Sequence, residues 1–425
     1  MGPAEPAAAA AAGSAVPPAT ADRSLLSRTF ASFHHRDFRL FYAGQLISVT
    51  GTWMQTVAAG WLVLTLTGSP LALGLVAVAR ALPVLLLSFV GGTLADRVDR
   101  RRLLLLANAA AAIVSTVLAV LTATGRIEVA GVLVLSALLG VTFAFEMPAR
   151  QSWIVELTGP RHLANAIALN SMLFNSARIA GPALAGLIVA VFGPATAFAI
   201  NALSFVPVIG VLLVIRPAPI KRPPLGGRRA LGDVVAYLRA ETPVALMLAL
   251  LAANTIFASG YIVLAPALAR DLGQGAAGLG FLMAAAGLGA VAAGLVLAGS
   301  GSRLARSRTL LVSGLALAGF VAGIGSSGTF AITLLLLVGL GFAMIGFTAT
   351  SNTLIQTVAP EALRGRIMSL YVAVMVGMMP ANGLFAGVVA ERFGVSAAFV
   401  VGAAIWAACV LVAFGASTRL RRLRT

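Results

Sequence analysis

Cysteine is almost missing from this chain: of 425 residues only Cys409 is one, which excludes a disulfide framework or a thiolate metal site. Histidine is nearly as scarce, with three in all. The adjacent His34 and His35 lack metal-ligand spacing and read as a solvated pair beside the membrane, so no metal is expected. Acids are few as well, 13 against 30 basic residues, and none falls at the centre of a long apolar run. There is no Gly-x-x-x-x-Gly-Lys-Ser/Thr phosphate loop, which excludes a P-loop ATPase. No nucleophile, base and orienting residue stand in a usable arrangement. The chain is therefore not read as an enzyme, and no cofactor is expected.

What is abundant is apolar sequence: 60% of the residues are hydrophobic, only 10% are charged, and the mean hydropathy is +0.99. Such a chain cannot cover a soluble globule with polar surface. A helix crosses the hydrocarbon core with about 20 apolar residues. On that measure spans fall at 38–66, 70–94, 103–124, 129–146, 164–192 and 195–215, then at 243–265, 278–298, 309–326, 329–350, 367–390 and 396–416. The fold class is thus an all-α membrane protein with twelve transmembrane helices. Arg80 and Arg178 lie inside spans, Arg126, Arg270 and Arg392 lie on one side, and the other 25 of the 30 basic residues lie on the side of both termini. Cationic loops resist translocation, so both termini are expected in the cytoplasm. The net charge of +17 then reads as a topology device, and no nucleic-acid partner is expected. Arg outnumbers Lys 29 to 1 within those 30, which hints at a high-GC bacterial genome, and a bacterial cytoplasmic membrane is the expected location.

Residues 1–35 are rich in Ala and Pro, carry Glu5 and Asp22, and lack the basic start and cleavage site of a signal peptide; a disordered cytoplasmic tail is expected. Residues 36–215 form a first group of six spans and 243–416 a second, with a basic tail at 417–425. The connector 216–242 contains Pro217, Pro219, Pro223 and Pro224 with Lys221, Arg222, Arg228 and Arg229. Within it Leu231, Val234, Val235 and Leu238 recur at helical spacing, which predicts a short interfacial helix. The halves resemble each other: at an offset of 201, Ile154, Leu169, Ala180, Ala185, Gly186, Phe192 and Gly193 recur in the second half. At an offset of 206, Arg97, Arg100 and Arg102 fall on Arg303, Arg306 and Arg308. Duplicated six-helix halves with a midplane cavity are a transporter architecture.

Polar residues inside the spans fall in stripes. Ser171, Asn175, Arg178 and Pro182 share one face of a helix, as do Gln45, Ser48, Thr52 and Gln55 in the first span and Asn254 with Tyr261 in the seventh. An arginine at a helix centre costs roughly 2.5 to 3.5 kcal/mol on insertion scales, so Arg80 and Arg178 are expected on a wet cavity or a partner. The stripes predict a substrate path. Interhelical bonding alone, worth about 0.6 kcal/mol per contact on average, is the competing reading. Glu146, before Met147-Pro-Ala-Arg150, is the nearest acid to a span interior and the candidate for proton coupling. An ion pair with Arg150, four residues on, is the alternative.

Gly92-Thr-Leu-Ala-Asp96-Arg97-Val-Asp99-Arg100-Arg101-Arg102 between spans two and three resembles the loop signature of the major facilitator superfamily, with Asp99 where that signature has Gly. The resemblance implies that Asp96 pairs with nearby arginines and biases one of two access states. Arg178-Ile-Ala-Gly181-Pro182-Ala-Leu-Ala-Gly186 is similar to the fifth-helix signature of antiporters in that superfamily. With Arg36-Asp-Phe-Arg39, Gly44-Gln45-Leu-Ile-Ser48, Trp53-Met-Gln55 and Leu66-Thr-Gly-Ser-Pro70, these motifs resemble the third drug:proton antiporter group, the transmembrane secretion effectors. The resemblance runs from about Phe33 to the end of span twelve; the usual span-four arginine motif is absent. It implies a major facilitator fold of two pseudo-symmetric six-helix bundles, working as a monomer, that exports a small molecule against protons. Arg80 and Arg178 favour a polar or anionic cargo such as a siderophore. A multidrug efflux pump is the runner-up, and a non-transporting scaffold or sensor the reading of another class.

Overall fold

The computed structural model describes residues 31–215, 229–300 and 307–421. The stretch 1–30, residues 216–228 of the Pro-rich connector, residues 301–306 with Arg303 and Arg306, and the tail 422–425 lie outside the described residues, which are helical throughout apart from short joints. Six helices precede the connector: α1 Arg36–Thr67, α2 Pro70–Arg97, α3 Arg100–Ala123, α4 Val129–Gly159, α5 Asn165–Phe192 and α6 Pro194–Val214. A short helix α7, Arg229–Ala240, follows. The second six are α8 Pro243–Asp271, α9 Ala276–Ser300, α10 Ser307–Ser326, α11 Phe330–Val358, α12 Leu363–Phe393 and α13 Val395–Ala416. All but α1 and the short α7 are apolar enough by length and composition to cross a membrane; α1 carries the polar series from Gln45 to Gln55.

An even number of crossings brings Ala31 and Ala416 to one end of the molecule, here called the terminal end. The short loops at Gly68, Gly125, Gly193, Gly273 and Gly394 form the opposite end, and all five glycines have positive φ between 66° and 90°. A left-handed residue closes such a tight joint without a Cβ penalty.

The repeat seen in the sequence has a counterpart in the packing. Gly140 of α4 lies where a Cβ would run into the carbonyl oxygen of Arg80 on α2, and Gly341 of α11 stands in the same relation to Ala286 on α9. Gly186 of α5 abuts Gly280 of α9, while Gly387 of α12 abuts Gly74 of α2. These last two contacts join the first six helices to the last six. Small residues let helix backbones approach closely where lipid supplies no hydrophobic drive for association.

Both crossings lie toward the opposite end. Along α5, Gly186 meets Gly280 and Ile179 meets Gly287. Two turns toward the terminal end, Ser171 and Asn175 on the same side of the helix are exposed. The halves therefore separate below Ile179, leaving a cleft that opens toward the terminal end. Near the terminal ends of α11 and α12, Thr353, Gln356, Thr357 and Arg364 line a polar recess of about 330 Å³.

Candidate functional site

The closed end of the cleft is bridged by side chains already marked in the sequence. Arg178 on α5 donates from Nη2 to the Tyr261 hydroxyl on α8 at 3.0 Å, tying one half to the other. Tyr261 is buried, and its hydroxyl sits 4.0 Å from Met344 Sδ on α11. It follows a π-helical turn, Asn254–Ala258. Wide turns of this kind interrupt the regular ladder and recur at functional sites. Asn382 of α12 donates to the Ile256 carbonyl in that turn at 2.8 Å. Asn254 is 3% exposed, and its Nδ2 has no hydrogen-bond partner among the described residues.

Arg80 is half-buried on α2. The guanidinium groups of Arg80 and Arg178 both lie within spans, with no acid in salt-bridge reach among the described residues.

A second cluster lies inside the first half. Arg150 Nε is 3.4 Å from a Glu146 oxygen, Arg150 Nη1 reaches Gln45 Oε1 at 3.4 Å, and the guanidinium lies 4.3 Å from the centre of the Phe174 ring. Arg150 and Gln45 are each 3% exposed, and the Glu146 side chain 12%. The helix spacing makes this pair, because residues four apart on α4 stack on one face. The two charges cancel, and the ring adds a cation–π contact. Glu146 therefore has its arginine and remains an acid shielded from bulk water.

The first-span stripe divides. Gln55 is not on the cleft: it is 1% exposed and accepts from Asn201 of α6 at 2.5 Å, while Asn201 also donates to Ser115 of α3 at 3.3 Å. Its helical spacing fixed which residues share a face but not what that face meets, and here it meets α6. Ser48 is buried, Thr52 donates back to the Ser48 carbonyl at 2.9 Å, and Gln45 joins the Glu146 cluster. On α5, Ser171 and Asn175 are exposed in the cleft and bond within their own helix, Ser171 Oγ to Ile167 O and Asn175 Nδ2 to Ser171 O.

The loop motif ties together the first half at the terminal end. Asp99 caps α3, accepting from the Arg101 amide at 2.9 Å and the Arg102 amide at 3.3 Å. Its φ of −59° is ordinary for an L residue, so this turn needs no glycine, and an aspartate supplies a cap in exchange. Arg100 pairs with Glu156 of α4 and donates to the Ala95 carbonyl at 3.1 Å; Arg101 donates to the Leu213 carbonyl of α6 at 2.7 Å. Arg97 is exposed, a Cβ on Gly92 would meet open space, and the side chain of Asp96 lies outside the described residues. Among the described residues the acid at this motif is Glu156, 56 residues from its arginine, a separation that leaves no periodic signal.

The helix-five glycines serve different neighbours. A Cβ on Gly181 would lie 2.6 Å from Trp53 Cβ of α1, within the half, whereas one on Gly186 would meet α9 across the cleft. Pro182 lies between them.

A family model described as "Transmembrane secretion effector" matches residues 27–424. The chain is similar to the staphyloferrin A transporter of Staphylococcus aureus, 26% identical over 399 residues that cover 91% of this chain and 97% of that protein. It is likewise similar to the multidrug efflux pump Tap of Mycolicibacterium fortuitum, 27% identical with 83% and 89% covered. Among solved structures, nucleoside transporter NupG superposes with a TM-score of 0.73 at 11% identity over 91% of this chain and all of that one, a likeness of fold alone.

Proposed function

This chain belongs to the transmembrane secretion effector family of the major facilitator superfamily, and from that premise we propose that it exports a small anionic or polar molecule, siderophore-like in character, in exchange for protons. It is a multi-pass membrane transporter and not an enzyme. The bundles at 36–215 and 243–416 act as the two rocking units, and one chain forms the working carrier. The described basic residues outside the spans crowd the terminal end, and because cationic loops resist translocation this supports a cytoplasmic position for that end, both termini and the connector. On that assignment the cleft faces inward and the closed end faces out, the posture in which an exporter loads.

The observation that carries the cargo class is the pair Arg80 and Arg178. Each is an arginine within a span, and neither has an acidic partner among the described residues. An intramembrane charge held this way serves a pathway or a ligand, and guanidinium groups match carboxylates in a two-pronged geometry. The name of one relative, a staphyloferrin A transporter, agrees with that chemistry. Glu146 is the proposed proton carrier, an acid screened from water whose arginine partner waits when it is neutralised. In vesicles with an imposed pH gradient, Arg80→Ala and Arg178→Ala should each lose most transport of an anionic siderophore such as staphyloferrin A while inserting normally. Full transport by either variant removes that residue from the path.

A multidrug pump is the second reading, favoured by the similarity to Tap and by apolar walls that tolerate many shapes. A screen of lipophilic cations separates the two, since uncompensated arginines should reject them.

A further inference from the structure

The closed end carries a contact between the halves that the substrate reading does not use. Gly383, Gly387 and Glu391 stand four residues apart on one face of α12. The two glycines bring this face down onto α2: a Cβ on Gly387 would lie 3.1 Å from Gly74 Cα and 3.3 Å from the Pro70 carbonyl oxygen. The third member ends over the start of α2. There the Glu391 carboxylate accepts from the Ser69 hydroxyl at 2.7 Å and from the Leu71 amide at 3.0 Å. Ser69 also caps its own helix by accepting from Ala72 N at 3.3 Å, so the two halves share the cap of α2. Beside it Arg270 of α8 donates to the Gly68 carbonyl at 2.8 Å and lies 3.2 Å from Asp271.

We propose that Glu391 is a positioning residue of the transport cycle, a latch whose charge holds the opposite end shut by capping a helix of the other half. The first turn of a helix leaves amide groups without partners and favours negative charge there. While the end is closed, Glu391 supplies both acceptor and charge. Opening that end pulls α12 from α2 and surrenders the cap to water, so the latch adds to one state only and shifts the balance between the two. The glycines set the distance at which the carboxylate reaches. Bulk at Gly387 separates the helices and disables the latch from another direction.

The test is a distance measurement between halves. With Cys409→Ser removing the native thiol, spin labels go on Thr124→Cys of the α3 end and Ser326→Cys of the α10 end, both exposed at the opposite end. The parent should show one dominant short distance with a minor longer component. Glu391→Gln should raise the ratio of long to short about two- to fivefold, the range for an exposed charge at a helix start. Glu391→Asp should fall between Glu391→Gln and the parent, and Gly387→Leu should shift the ratio at least as far. A label pair within one half, Thr124→Cys with Thr196→Cys, should not change. An unaltered ratio in Glu391→Gln overturns the latch, whatever Gly387→Leu does. A change in the within-half pair overturns it too, because the variant then disturbs the bundle and not the gate.

Discussion

Replacing Arg150 with Met leaves Glu146 as a buried acid with its charge partner removed, and the cost can be worked from the surroundings. The arginine is 3% exposed and the glutamate side chain 12%, so neither charge has bulk solvent to fall back on. Breaking such a pair from one side costs about 3 to 5 kcal/mol. The residual exposure of the Glu146 side chain puts the expected value near 3 kcal/mol, the low end of that range. Glu146→Gln should destabilise by a similar amount, since it strands the guanidinium, although the Phe174 ring at 4.3 Å retains part of the cation's stabilisation. The double variant Glu146→Gln with Arg150→Met removes both charges and should recover most of the loss, because a neutral pair of similar volume carries no desolvation cost. Cys409 is the sole cysteine and is half-buried, so a thiol-reactive fluorogenic dye reports unfolding of each variant on heating. Additive losses in the double variant would refute the ion-pair account. The same double variant then isolates coupling: if Glu146 carries the proton, it folds and binds cargo but no longer responds to a pH gradient.

Two further outcomes follow from the packing. Gly186→Val places a side chain against the Ala276 carbonyl oxygen, 2.8 Å from the Cβ position, and against the Gly280 backbone; with backbone on both sides the closed end cannot form, so transport should fall at least tenfold with insertion intact, as measured in vesicles. Asp99→Ala removes the cap of α3 and should cost about 1 kcal/mol, seen as a lower unfolding temperature, whereas Asp99→Asn or Asp99→Ser should retain most of the stability.

The fold was legible because hydropathy in a membrane chain is a nearly direct readout of backbone position: most span ends fall within a few residues of the helices. The exceptions have a cause. Helices α4 and α11 run on to Gly159 and Val358, well past 146 and 350, because segments such as Trp153-Ile-Val-Glu156-Leu continue as helix outside the apolar window. Helix α8 likewise runs on to Asp271, beyond a π-turn that has no hydropathy signature. A short helix does lie at Arg229–Ala240, around Val234 and Leu238, while the side chains of Leu231 and Val235 lie outside the described residues.

The site was legible in part. Periodicity grouped Ser171, Asn175 and Arg178 on one face, where Ser171 and Asn175 are exposed and Arg178 reaches Tyr261 of the other half. The same rule grouped Gln45 with Gln55, yet one turned to Arg150 and the other to Asn201, since a face has no meaning until its neighbour is known. Partners far apart in sequence, such as Arg100 with Glu156 or Glu391 with Ser69, leave no periodic trace. The spacing Gly383, Gly387, Glu391 was nonetheless visible, and reading a small-residue stripe together with the charge that ends it would have found the latch.

If the two halves rock, the end now closed must open during transport. Ser69→Cys and Glu391→Cys, in a Cys409→Ser background, place thiols on opposing halves whose native side chains meet at 2.7 Å, within reach of a short bismaleimide linker. Cross-linking should abolish the transport that the uncross-linked double variant retains, while alkylation of either cysteine alone should leave that level largely unchanged. A carrier that transports at full rate with those two positions joined would contradict the account.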